Sequence, residues 1–138
     1  MANPHVRRRA RERALEFLFG IDFTRYAWRD ALPAFWEANP CGRSARAYAE
    51  QLIQGVSEHK AEIDDAIKAN LENWRPERVG AVERNILRVA LFEILYGGGE
   101  VPAKVAVNEA IELAKRYGGD DAPRFVNGVL DRFCRTHP

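Results

Sequence analysis

Five arginines crowd the start of this chain. Arg7, Arg8, Arg9, Arg11 and Arg13 lie within residues 1–13, opposed there by Glu12 alone. A guanidinium presents a planar fork of donors that grips a phosphate at two points, and its face stacks on a base. The cluster therefore points to a polyanion, and to RNA in particular, because arginine-rich segments commonly fold onto it. It also breaks a local rule. A helix start carries partial positive charge and disfavours cations, and residues that break such rules are often functional. A solvated, partly frayed terminus is the alternative, and charge alone leaves the two about even. The whole chain carries 21 basic and 20 acidic side chains, so beyond the arm it is mildly acidic. Such asymmetry fits a basic arm on a separate body.

Other chemistry finds little support. His5, His59 and His137 are the three histidines, and neither they nor Cys41 and Cys134 show metal-site spacing. No nucleotide-loop or nucleophile-elbow pattern occurs. Gly97-Gly98-Gly99 reads as a helix stop, and Asp120-Asp121 as a cap with a first-turn charge. Trp28, Trp36 and Trp74 sit at helical stripe positions and read as core. The expectation is a protein that is not an enzyme, with no metal and no cofactor. The longest apolar run, Ile86 to Tyr96, carries Arg88 and Glu93 and is too short to span a bilayer. No secretory segment is recognisable, which fits a cytoplasmic protein.

The elements that must position the arm are helical throughout. Ala10, Ala14, Phe17, Leu18 and Ile21 form one stripe, with Asn3-Pro4 as cap and first turn. At 100° per residue Arg8, Arg9 and Arg13 point away from that stripe, while Arg7 and Arg11 fall close to it. Basic groups on nearly every side imply a first turn that projects beyond the core. Trp28, Leu32, Phe35 and Trp36 mark a second helix, with Pro33 delaying or bending it. From a Ser44 cap, apolar residues recur through Tyr48, Leu52, Val56, His59, Ile63, Ile67, Leu71 and Trp74. Gly55 marks a close crossing or a break in that stretch, and Arg75-Pro76 ends it. Further helices follow from Ala81 to Tyr96, from Pro102 to Tyr117, and from an Asp120 cap through Phe133. Gly128, in the last, reads as a point of close helix approach. The pattern predicts one all-α domain of two packed three-helix halves, about 1–74 and 81–138, joined at 75–80.

Five segments carry a more specific signal: Arg7–Phe19, Leu52–Asp64, Glu83–Glu93, Val107–Gly118 and Arg124–Asp131. In wording, order and spacing they resemble the NusB family of bacterial transcription antitermination factors over nearly the whole chain. The resemblance implies an all-helical protein that pairs with the ribosomal protein NusE. It also implies binding to the boxA element of nascent RNA and support of antitermination by RNA polymerase, notably on ribosomal RNA operons. The family's arginine-rich helix start maps onto Arg7, Arg8, Arg9, Arg11 and Arg13. Its protein-partner surface maps onto Phe19 and Glu83. Asp121 falls where a carboxylate near the RNA would weaken binding. Some members self-associate as dimers, and the resemblance leaves monomer or dimer open. The alternative function is a helical protein-interaction module whose basic arm is only a solubilising terminus.

Overall fold

The computed structural model describes residues 3–72 and 79–138. The expected stripe at Trp74, the helix end at Arg75-Pro76 and most of the 75–80 junction lie outside the described residues. The described residues form seven helices: α1 Pro4–Ile21, α2 Trp28–Ala38, α3 Arg43–Glu58, α4 Lys60–Ala69, α5 Ala81–Tyr96, α6 Ala103–Tyr117 and α7 Ala122–Thr136.

Local chemistry sets several of these boundaries. The Asn3 side chain accepts the His5 N–H at 2.8 Å, and Pro4, which lacks an N–H, opens α1. α2 runs through Pro33, whose ring faces solvent. The start of α3 differs from expectation: Gly42 occupies the cap position, no side chain caps it, and Ser44 lies inside the helix. Likewise α7 is not capped by Asp120. Asp121 holds the cap position, without a side-chain bond to the helix.

The helical stretch expected from Ser44 onward is interrupted at His59, which adopts φ −112°, ψ 20° between α3 and α4. The corner is held by ring packing: the imidazole stacks on Tyr96 with centroids 3.8 Å apart, and Phe92 lies beyond. Gly55, one turn earlier, sits against α5, and a Cβ there would overlap the Phe92 ring. Gly55 thus serves a close crossing. Gly128 does not, since a Cβ there would meet only the Arg132 guanidinium at ordinary contact distance.

The apolar residues gather in two clusters. One joins α1, α2 and α3 through Ala10, Ala14, Phe17, Leu32, Trp36, Leu52, Ile53 and Val56. The other joins α5, α6 and α7 through Ile86, Leu91, Ala110, Leu113, Val129 and Phe133, and it takes Ile63 and Ile67 from α4. Leu15 of α1 belongs to the second cluster and Val89 of α5 to the first, so these two helices stitch them together. α5 packs on α1, α3, α4, α6 and α7. A helix enclosed on so many sides is apolar nearly all round, yet it carries Asn85, Arg88 and Glu93 as buried polar residues.

Each of those groups is partnered, as desolvation demands. Arg88 sends Nε and Nη2 to the two Asp64 oxygens at 2.8 and 3.0 Å, and Nη1 to Asp22 and Asn85. Asn85 donates to the same Asp22 at 2.8 Å. The end of α1, the start of α5 and α4 are thereby tied together.

Candidate nucleic-acid interface

The arginines do not project from the body as a free arm. α1 lies against α3 and α5, and most of its arginines meet carboxylates from the far end of the sequence. Arg11 is only 4% exposed. Its Nε and Nη2 donate to Glu93 at 2.9–3.2 Å, and its Nη1 reaches Glu109 at 3.4 Å. Glu93 also accepts a hydrogen bond from the Tyr48 hydroxyl. Burial and that bond together push the Tyr48 phenol well above its usual range.

Arg7 lies over the Tyr48 ring, 4.9 Å from its centroid, and pairs with Glu100. Arg8 donates from Nε and Nη2 to the two Glu109 oxygens at 3.1 and 2.7 Å. Those bonds hold the Glu109 carboxyl below the ordinary range and raise the Arg8 guanidinium. A depressed carboxylate contributes stability above its unfolded value and loses it as pH falls through the lowered folded value. This contact therefore helps at neutral pH and fades in acid. Arg13 pairs with Glu16 at 2.8 Å. Arg9 is exposed and meets no carboxylate among the described residues. It lines a cleft of about 410 Å³ with His5, Arg43 and the uncapped start of α3.

The expectation of a projecting first turn is therefore corrected. Arg7 and Arg11, the two that fall nearest the apolar stripe, are tucked inward. Arg8 and Arg9 face solvent, and Arg13 is half-buried. Sequence reasoning missed the frame that holds them: Tyr48, Glu93, Glu100 and Glu109. The available signal was Glu93, an acid inside the most apolar run of the chain, which needs a buried cation.

The other candidate residues gather at the opposite end of α1. Eleven residues of helix, about 16 Å, separate Arg8 from Phe19. Phe19 is exposed and packs edge-to-face on Phe23, with centroids 5.0 Å apart; Tyr26 is exposed nearby in sequence. Asp22, three residues beyond Phe19, is bonded to Asn85, two residues beyond Glu83, so Phe19 and Glu83 share this end of the bundle. Glu83 folds its carboxylate over Gly80 at the start of α5. It lines an open cleft of about 710 Å³ together with Asp121, Arg124, Phe125 and Arg132. Asp121 is thus beside Glu83. Its helix begins just after Tyr117, whose hydroxyl reaches Glu16 at 2.9 Å, two turns along α1 from Arg8. A strand touching both Arg8 and Asp121 must run along the α1–α6 seam.

The described residues thus form an all-α bundle with exposed arginines at one end of a helix and an aromatic and acidic face at the other. The family can be named. A profile of the NusB family matches residues 8–135, and this chain belongs to that family. A relative described as transcription antitermination protein NusB, from Anaeromyxobacter dehalogenans (strain 2CP-1 / ATCC BAA-258), is 48% identical over 133 residues, covering 96% of this chain and 92% of the relative. The T. maritima NusB structure superposes with a TM-score of 0.84 at 37% identity, covering 98% of this chain and 93% of that one. A structure of antitermination factors NusB and NusE in complex with dsRNA matches with a TM-score of 0.85 at 27% identity, covering 97% and 99%. Among the described residues no helix is long and apolar enough to cross a membrane.

Proposed function

We propose that this protein is a cytoplasmic RNA-binding antitermination factor. It pairs with NusE, binds boxA RNA and supports antitermination by RNA polymerase, notably on ribosomal RNA operons. RNA phosphates contact the start of α1, and NusE contacts Phe19 and Glu83. The observation that carries this reading is the sorting of the arginines. Arg11 and Arg13 are spent on internal ion pairs, which stiffen the helix, while Arg8 and Arg9 are displayed to solvent on it. Support also comes from the similar structure that contains NusB, NusE and dsRNA. Asp121, on the seam that continues past Tyr117, acts as a repulsive modulator of the strand.

Titration with boxA RNA, with and without NusE, tests the proposal. Binding to a single strand loses about 0.7 in log–log salt slope per neutralised phosphate. Three reachable arginines, Arg7, Arg8 and Arg9, then give a slope near −2, where five would give about −3.5. Replacing those three with Ala should remove most of the slope and leave the helix content intact, because Ala is the better helix former. Arg11 is left in place, since its loss would strip Glu93 of its partner. A slope near zero for the unaltered protein would leave the interaction-module alternative.

Glu83→Lys should weaken NusE binding at least several-fold while RNA binding by the protein alone stays near its starting value. A stability loss of ~0.3–1 kcal/mol accompanies it, because a carboxylate in the first turn of α5 favours the helix dipole. Calorimetric titration with NusE measures the first effect and thermal melting the second. NusE affinity equal to that of the unaltered protein would take Glu83 out of the interface.

A further inference from the structure

Two of the arginines that an RNA strand would contact are already engaged by carboxylates, and the two engagements differ in kind. Glu109 holds Arg8 through two nitrogens, also reaches Arg11, and is largely buried on α6. It is a fixed part of the frame. Glu100 is different. It meets Arg7 through one nitrogen, Nη2, and its side chain is 68% exposed. The Arg7 Nε is buried and has no hydrogen-bond partner.

Glu100 belongs to the connection between α5 and α6. Gly98 and Gly99 adopt φ 66° and 79°, a region that L side chains rarely enter. Those two residues turn the chain sharply after Tyr96, and Val101, buried, fixes it again beyond. The carboxylate between them is thereby delivered onto Arg7. A guanidinium held by one acid through a single nitrogen, over an aromatic ring, has donors left unsatisfied. A phosphate grips such a fork at two points and forms the stronger contact.

We propose that Glu100 is an internal competitor for the RNA backbone: its carboxylate occupies Arg7 in the free protein and gives way to a phosphate diester when the strand binds. The proposal rests on the reading that the start of α1 binds RNA, and it adds how the strength of that binding is set. Every phosphate contact at Arg7 must first displace Glu100, so the pair lowers the affinity for any polyanion that cannot make the exchange. Arg9, with no carboxylate to displace, meets the strand without this cost.

The test is a fluorescence-polarisation titration with a labelled single-stranded boxA RNA over a salt series. Glu100→Gln should bind about two- to fivefold tighter at low salt. Its salt slope should steepen, by up to about 0.7, because no freed Glu100 carboxylate then takes up a cation as the phosphate is neutralised. In an Arg7→Ala background the same substitution should give no gain. Asp131→Asn removes an equal charge from an exposed pair on α7 and should leave the affinity unchanged.

Equal or weaker binding by Glu100→Gln would overturn the proposal, since Glu100 would then be orienting Arg7 and not competing for it. A gain that survives Arg7→Ala, or that Asp131→Asn reproduces, would overturn it too, as a matter of net charge alone. These failures are distinct from failure of the reading beneath. There, the unaltered protein would show no salt-dependent RNA binding, or replacing Arg7, Arg8 and Arg9 would not weaken it, and both proposals would fall.

Discussion

Glu93→Ala is expected to lower the stability of the fold by about 3–5 kcal/mol, the cost of stranding a buried charge. Glu93 is 2% exposed and is the main partner of Arg11, itself 4% exposed. Without it, Arg11 keeps only the longer contact to Glu109, and the Tyr48 hydroxyl loses its acceptor. A nearly buried cation is then left with one long ion pair in place of its main partner. Glu93→Gln keeps the volume and an acceptor for Tyr48, so its loss should be smaller. Urea unfolding of the two variants measures the difference. A cost below about 1 kcal/mol for Glu93→Ala, the value of a surface ion pair, would mean that water reaches the network.

The second large effect is expected at Gly55. Replacing an exposed helical glycine with alanine ordinarily favours the helix by up to about 1 kcal/mol. At Gly55 the sign should reverse, to a loss of about 1–3 kcal/mol, because the added Cβ overlaps the Phe92 ring. That ring is restrained by its stack with Tyr96, 6.0 Å between centroids, and by His59 beyond. Phe92→Ala costs stability alone, but in that background Gly55→Ala should become neutral or favourable. Thermal melting of the four proteins closes the cycle. Additive losses would show that α3 and α5 do not meet at this point.

Much of this arrangement was legible along the chain. The 100° step placed Arg7 and Arg11 near the apolar stripe and Arg8, Arg9 and Arg13 away from it; the structure buries Arg11, half-buries Arg7 and Arg13, and exposes Arg8 and Arg9. Apolar spacing is a local property of a helix, so it can be read without knowing the neighbours. Where the inward arginines go was not legible. Their partners lie 82 to 98 positions away, and a single carboxylate looks the same whether it pairs across the fold or faces water. The interruption at His59 escaped for a related reason. The break that Gly55 offered falls a turn too early, and the residue at the corner itself stacks on Tyr96 from another helix. The two glycines divide in the same way: both occur at helical spacing, and only the aromatic ring opposite Gly55 separates a close crossing from an ordinary surface position. The five arginines named by charge and resemblance thus split into a display set and an anchoring set, a division that depends on contacts no local pattern contains.

The long reach of those contacts also bears on the order in which the molecule takes shape. α1 is among the first residues to emerge during synthesis, but Glu93, Glu100, Glu109 and Arg116, which fix its arginines and Glu12, follow 82 to 104 positions later. Contacts that close such long loops form late, because the entropy of closure must be met before they stabilise anything. Until α6 is made, the arginine helix has α2 and α3 to pack against but few of its counter-charges, and it passes through a stage as an unneutralised cationic segment. The exposed guanidiniums acquire their final orientation only when the last third of the chain closes over them. A stalled or truncated product would therefore carry more uncompensated positive charge, and completion of the fold is what neutralises it.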